Sequence, residues 1–169
     1  MVPSARKVVS RLAGKDSKYH SRIDEQMRRG WNVEMARELQ VMISDRLMES
    51  KSELEKNFET ELSELEAPQL LIYKTGDFFK THRDKSPKKE EHPRRVSLVL
   101  FLNNGGHDWN TDVYQGGQLY LYEQGGPENP ETVSIRGVRG TLVAFRSDIL
   151  HEVRPVLSGE RITIVSWFH

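Results

Sequence analysis

The spacing of hydrophobic residues changes character near Pro68. Before it, apolar side chains recur at steps of three to five with Glu and Lys between them, which is typical of amphipathic helices. Residues 3–29 are predicted to hold one or two further helices, with Gly14 and Gly30 as breaks. The predicted helical stripe comprises Met35, Leu39, Met42, Ile43, Leu47, Leu54, Phe58, Leu62 and Leu65.

After Pro68, short runs rich in β-branched and aromatic residues alternate with Gly, Pro, Asn and Asp clusters, which predicts strands. Many short strands with such turns favour a sandwich or a jelly roll. The predicted fold class is therefore mainly β with N-terminal helices (α+β), in which residues 1–67 form a helical segment that packs on a core of residues 68–169. The strands are predicted near 69–74, 78–84, 94–103, 117–122, 131–136, 140–146, 150–156 and 160–168.

Composition narrows the classes of partner. A length of 169 residues suits one domain, and a net charge of zero indicates neither a nucleic-acid nor a membrane partner. The sequence has no run of about 18 apolar residues and no secretory apolar segment, so we expect no spanning helix and no signal peptide. The absence of cysteine excludes disulfides, thiolate metal sites and cysteine nucleophiles. Together these features favour a cytoplasmic protein.

His82 and Asp84 lie two residues apart in a predicted strand. Side chains at i and i+2 point to the same face of a strand, so this imidazole and this carboxylate can share one metal ion. His151, at the end of another strand-like run, is the leading candidate for a third ligand. Two histidines and one carboxylate form the facial triad of non-haem iron(II) oxygenases. The alternative is that both histidines are ordinary strand residues.

Arg161 interrupts an otherwise apolar strand, ten residues after His151. A guanidinium at an inward position needs a partner, because an unpaired buried charge is costly. A dicarboxylate ligand would supply one through a bidentate ion pair. The alternative is that Arg161 faces solvent or pairs with Glu160 or Glu152.

An ordered set of motifs resembles the prolyl 4-hydroxylase branch of the 2-oxoglutarate/iron(II) dioxygenases. The resemblance covers about residues 68–168 and implies a double-stranded β-helix, which is a jelly roll, backed by N-terminal helices. The motifs are Tyr73-x-x-Gly76-x-Phe78-x-x-x-His82-x-Asp84, Arg94-Arg95-Val96-Ser97-Leu98-Val99-Leu100-Phe101-Leu102-Asn103, Gly116-Gly117-Gln118-Leu119, Gly140-Thr141-Leu142-Val143-Ala144-Phe145, His151-Glu152-Val153-x-Pro155-Val156 and Gly159-Glu160-Arg161-x-Thr163-x-x-x-Trp167-Phe168.

The resemblance also implies cofactors and binding residues. Fe(II), 2-oxoglutarate and dioxygen are expected, and ascorbate is an additional cofactor that the resemblance allows. Arg161 is expected to bind the distal carboxylate of 2-oxoglutarate, with Thr163 adjacent. Tyr73 and Trp167 match family aromatic residues at the same pocket. The implied metal ligands are His82, Asp84 and His151.

The chain departs from the family at Phe101, where the family often has a tyrosine whose hydroxyl can assist the distal carboxylate. That hydrogen bond must then come from another group, for which Thr163 and Tyr73 are the candidates. The carboxylate of Asp84 favours hydroxylation, because halogenases of this superfamily have a small residue in its place.

The expected reaction is hydroxylation of a prolyl or other side chain in a protein or peptide substrate, with release of succinate and carbon dioxide. The first alternative is an oxygenase of a free amino acid or another small molecule. The second is a jelly-roll binding module without turnover, which would be expected to have lost the metal ligands.

Overall fold

The computed structural model describes residues 26–84, 93–106, 113–122 and 131–169, together with the backbone of three short strands nearer the start. Two helices lie in these ranges, α1 (Arg37–Met48) and α2 (Lys51–Phe58). Neither is long and apolar enough to cross a lipid bilayer. The strands are β1 (Ala5–Val8), β2 (Ser10–Leu12), β3 (Arg22–Asp24), β4 (Arg28–Val33), β5 (Gln69–Lys74), β6 (Phe78–His82), β7 (Val96–Phe101), β8 (Asn104–Gly105), β9 (Val113–Gly116), β10 (Leu119–Tyr122), β11 (Thr132–Ile135), β12 (Leu142–Arg146), β13 (Leu150–Val153), β14 (Val156–Ser158) and β15 (Glu160–Phe168).

Most of these strands belong to one curled antiparallel sheet, in the order β11-β10-β13-β6-β4-β5-β15-β7-β12, with β1 beside β4. β4 joins its two halves, because Arg28 and Arg29 pair with β6 while Trp31, Asn32 and Val33 pair with β5. A smaller sheet has the order β14-β9-β8, and β2 pairs with β3. The predicted mainly β fold class is confirmed.

The prediction of helices over residues 3–29 is wrong where the structure describes this segment, since β1, β2, β3 and the start of β4 lie there. Gly30 is not a helix break. A Cβ at this position would lie 3.1 Å from the Tyr73 ring, so the glycine lets that ring lie against β4. Residues 1–67 therefore supply a strand in the middle of the main sheet as well as two helices.

The predicted helical stripe is split and only partly buried. α1 and α2 are separate helices, and α2 ends where Glu59 adopts a left-handed φ of 50°. Leu39 and Met42 are 42% and 54% exposed, contrary to the prediction. The buried members of the stripe are Ile43, Leu47, Leu54 and Leu62.

Two apolar clusters hold the architecture together. The first joins both helices to one face of the sheet, where Leu47 and Leu54 pack with Leu98 and Phe168. The second centres on Val99, Phe101, Leu119, Phe145 and Val153. Several of its residues also line the cavity described next, so this part of the core forms the apolar wall of the candidate site.

Candidate metal centre

Three side chains able to bind a metal ion converge in one cavity. His82 ends β6, Asp84 follows two residues later, and His151 lies on β13. His82 and His151 are opposite each other in the β6–β13 ladder, and their ring centroids are 4.1 Å apart. One ligand atom from each of the three residues lies within 4.8 Å of the others. The structure thus brings together the three residues that the sequence predicted as ligands.

The backbone sets the tautomer of both histidines. His82 Nδ1 lies 2.7 Å from the Lys80 carbonyl oxygen, and His151 Nδ1 lies 2.9 Å from the Ile149 carbonyl oxygen. A carbonyl oxygen only accepts hydrogen bonds, so Nδ1 of each neutral ring carries the proton. Each Nε2 lone pair is therefore free, 3.5 Å from an oxygen of Asp84. Free lone pairs facing a carboxylate repel it unless a cation lies between them, so this donor set fits a metal ion.

Two hydrogen bonds orient the Asp84 carboxylate. Ser97 Oγ and Trp167 Nε1 each donate to Asp84 Oδ2 over 2.8 Å. Ser97 Oγ also lies 2.9 Å from Ser147 Oγ. Because these donors engage Oδ2, Oδ1 is left to face His82, as a monodentate metal ligand would.

Burial and neighbouring charges set the protonation states. Burial, reinforced by His82 and opposed by Asp84, lowers the pKa of His151 to about 4. Burial alone would raise the pKa of Asp84, but the adjacent His82 and His151 imidazoles, positively charged when protonated, and the Trp167 N–H hold the pKa well below its ordinary value. His151 is thus neutral and Asp84 ionised near neutral pH, which are the forms that bind a metal.

Arg161 projects from β15 into the same cavity and is only 1% exposed. Its Nη1 donates to Thr163 Oγ1 over 3.1 Å, whereas Nε has no hydrogen-bond partner within the described ranges. Burial lowers the pKa of Arg161, and Tyr114 and Tyr73 oppose this shift. The predicted alternatives do not hold, because Glu160 pairs with Lys74 and Glu152 pairs with Arg154. A buried guanidinium without a carboxylate is a site for an anionic ligand.

The remaining sequence-predicted residues also line this cavity, with different contacts. The Tyr73 ring centroid lies 5.5 Å from Arg161 Cζ, Thr163 accepts the bond from Arg161, and Trp167 contacts Asp84. The sequence reasoning missed Arg28, whose Cζ lies 4.6 Å from the Phe79 ring centroid and which lines the cavity from β4. No local motif marks Arg28, because it reaches the cavity only through strand pairing.

A curled antiparallel sheet with two histidines and a carboxylate in one cavity is typical of non-haem iron(II) oxygenases. The family model described as the 2OG-Fe(II) oxygenase superfamily matches residues 68–169. The chain belongs to this family, whose members depend on 2-oxoglutarate and Fe(II), and the resemblance found in the sequence is thereby confirmed.

Relatives in sequence include PKHD-type hydroxylases. The one from Shewanella sp. (strain ANA-3) is 33% identical over 98 residues, which cover 56% of this chain and 39% of the relative. The one from Teredinibacter turnerae is 29% identical over 104 residues, which cover 59% of this chain and 41% of the relative. The chain spans about two fifths of the length of these curated relatives.

Solved structures with the same fold include a Pseudomonas putida prolyl-4-hydroxylase, with a TM-score of 0.65 and 23% identity over 86% of this chain and 74% of that chain. The viral collagen prolyl hydroxylase of Paramecium Bursaria Chlorella virus-1 gives a TM-score of 0.63 with 18% identity, covering 84% of this chain and 79% of that chain. These likenesses confirm the jelly-roll core.

Proposed function

We propose that this chain is a 2-oxoglutarate- and dioxygen-dependent Fe(II) hydroxylase, with His82, Asp84 and His151 as the iron ligands. The observation that carries the proposal is the convergence of their ligand atoms within 4.8 Å, with both Nε2 lone pairs free. The chemistry that Fe(II) and 2-oxoglutarate supply is the activation of dioxygen for insertion of one oxygen atom into a C–H bond, with release of succinate and carbon dioxide.

The chain's own residues bind and orient the reactants. Arg161 pairs with the distal carboxylate of 2-oxoglutarate, and Thr163 holds the guanidinium in place. The buried side chains of Leu119 and Phe145 line the cavity and exclude water from it. In this proposal residues 68–169 are the catalytic unit, and residues 1–67 brace it and supply β4.

An anaerobic titration with Fe(II) and 2-oxoglutarate tests the centre. The wild-type protein is expected to develop a visible absorption band when both are present and to release succinate when oxygen is admitted. His82→Ala and Asp84→Ala abolish both signals, whereas Asp148→Ala, at a half-exposed carboxylate paired with Arg146, retains them. Unchanged turnover in either ligand variant refutes the assignment, and absence of both signals in the wild type favours a binding module without turnover.

We propose a side chain in a protein, prolyl or other, as the substrate. The names of the similar proteins support this: three of the solved structures are called prolyl hydroxylases, and one of these, from Trichoplax adhaerens, is in complex with a hypoxia inducible factor peptide fragment. That structure has a TM-score of 0.53 and 23% identity over 77% of this chain and 54% of that chain.

One observation favours the alternative of a free amino acid or another small carboxylic acid. Arg28 is a second arginine in the cavity, and its buried Nε has no hydrogen-bond partner in the described part of the chain. Its guanidinium lies over Phe79, whose ring stacks on His82 with 3.5 Å between centroids. A small substrate that placed its carboxylate on Arg28 would therefore lie close to the metal centre.

Succinate release separates the two candidates. A proline-containing peptide that stimulates release, while free L-proline and the other free amino acids do not, favours a protein substrate. Stimulation by a free amino acid but not by its C-terminal amide, with the preference lost in Arg28→Met, favours the small acid.

A further inference from the structure

Tyr114 is a buried tyrosine that the sequence analysis did not single out. It lies on β9 and is 1% exposed. Its hydroxyl occupies space left by Gly137, because a Cβ there would lie 2.1 Å from the hydroxyl oxygen and 2.7 Å from the Phe101 ring. The hydroxyl therefore lies at the edge of the Phe101 ring. Phe101 is the position at which the prolyl 4-hydroxylase branch often has a tyrosine.

The groups around this hydroxyl are hydrogen-bond donors. Burial raises the pKa of Tyr114, so the phenol keeps its proton, while Arg161 and the Gly137 N–H lie close enough to oppose that rise. Neither the Tyr114 hydroxyl nor Arg161 Nε makes a hydrogen bond of good geometry within the ranges described. Both atoms are fully buried, and an unsatisfied buried polar group destabilises the folded protein. Two adjacent donors without an acceptor form a site for an anion.

We propose that the Tyr114 hydroxyl completes the anion site of Arg161 by donating a hydrogen bond to the distal carboxylate of 2-oxoglutarate. This inference rests on the proposed function. Phe101 has no hydroxyl and cannot donate the hydrogen bond that a family tyrosine donates from that position. The inference gives this role to Tyr114, and not to Thr163 or Tyr73, which the sequence analysis named as candidates. The Thr163 hydroxyl accepts a hydrogen bond from Arg161 Nη1, whereas no hydrogen bond of good geometry engages the Tyr114 hydroxyl within the described ranges.

The test compares Tyr114→Phe with Tyr122→Phe. Tyr122 is equally buried, but it lies on β10 of the main sheet, and its hydroxyl donates to Glu152 Oε1 over 2.7 Å. Calorimetry measures 2-oxoglutarate binding to the full chain loaded with Mn(II) in place of Fe(II), and melting without metal or 2-oxoglutarate reports stability. Because a hydrogen bond to a charged group is lost, Tyr114→Phe is expected to weaken 2-oxoglutarate binding about tenfold or more.

The two variants are expected to differ from wild type in different measurements, Tyr114→Phe in 2-oxoglutarate affinity and Tyr122→Phe in melting temperature. Tyr114→Phe leaves the melting temperature unchanged or raises it, because its hydroxyl makes no hydrogen bond of good geometry with the part of the chain that the structure describes. Tyr122→Phe lowers the melting temperature and leaves 2-oxoglutarate affinity unchanged. Equal 2-oxoglutarate affinity in Tyr114→Phe and wild type overturns the inference, as does a melting temperature of Tyr114→Phe as low as that of Tyr122→Phe. If wild type binds Mn(II) but not 2-oxoglutarate, the proposed function itself fails.

Discussion

Trp167 Nε1 donates a 2.8 Å hydrogen bond to Asp84 Oδ2, so the last strand of the sheet holds the candidate carboxylate ligand in place. The Trp167 ring is itself held by Arg94, whose Cζ lies 3.7 Å from the ring centroid and whose guanidinium pairs with Glu66. A chain of contacts thus runs from Glu66, before the family-matched residues, to the metal centre. Groups that orient a metal ligand in this way contribute to metal affinity.

Trp167→Phe is expected to weaken Fe(II) binding by about tenfold, because loss of a group that orients a ligand typically costs about 10–100-fold in affinity. Phenylalanine keeps an aromatic face for Arg94 and removes only the N–H donor. Anaerobic Fe(II) titration measures the change.

The matched control for this prediction is Trp31→Phe. The Trp31 ring packs under Lys74, with 5.5 Å between Nζ and the ring centroid, and it makes no contact with Asp84. Fe(II) affinity is expected to stay at the wild-type value in this variant. Equal affinities in both variants would show that the Trp167 hydrogen bond does not support the metal ligand.

The sequence predicted those features that depend on local spacing. β5 and β15 coincide with the predicted strands 69–74 and 160–168, because runs of Val, Ile and aromatic residues favour a pleated, half-buried surface. The proximity of His82 and Asp84 was predicted from the two-residue period of a strand over 78–84. β6 ends at His82, and Asp84 lies in a bend just beyond it.

Features that depend on contacts between distant segments were not predictable from spacing. The sequence pattern did not predict β4, because Gly30 within it was interpreted as a helix break. The glycine is there because the ring of Tyr73, remote in sequence, packs against it. Arg28 and Tyr114 were missed for the same reason, since strand pairing brings one to the cavity and Gly137 makes room for the other.

Leu54→Ala is expected to destabilise the protein by about 2–4 kcal/mol, because it leaves a cavity between α2 and the sheet. Leu39→Ala, at a helix position 42% exposed, should cost about 0.5 kcal/mol or less. Urea unfolding measures both values. Equal losses would agree with the single buried stripe that the sequence predicted and contradict the observed exposure of Leu39.

The stability of the metal-free protein is expected to fall as pH drops from about 6.5 towards 4, because the pKa of His151 is lowered from 6.5 to about 4 by burial. In this window the unfolded state binds a proton that the folded state excludes, so acid favours unfolding. The contribution amounts to about 2 kcal/mol between pH 7 and pH 5. Asp84 adds nothing there, because its lowered pKa keeps it ionised in the folded state and its ordinary value of 3.8 lies below the window.

His151→Gln removes this titrating group and should flatten the pH dependence. Urea unfolding of both proteins at pH 7 and pH 5, in the presence of a chelator, measures the difference. Parallel loss of stability in the two proteins would mean that His151 accepts a proton in the folded state and that burial does not exclude it.

Arg161→Met is expected to weaken 2-oxoglutarate binding by about a hundredfold while leaving metal binding unchanged, because truncating one partner of a buried charge pair costs about 2–5 kcal/mol. The metal-free protein should be at least as stable as wild type, since the guanidinium is buried without a carboxylate partner among the described residues and methionine fills much of its volume. Arg28→Met, in the same cavity, should bind 2-oxoglutarate as wild type does. Calorimetry with the Mn(II)-loaded proteins compares the three. If Arg28→Met loses affinity for 2-oxoglutarate and Arg161→Met keeps it, the assignment is reversed. Arg28 then binds 2-oxoglutarate, and Arg161 binds an anionic group of the substrate.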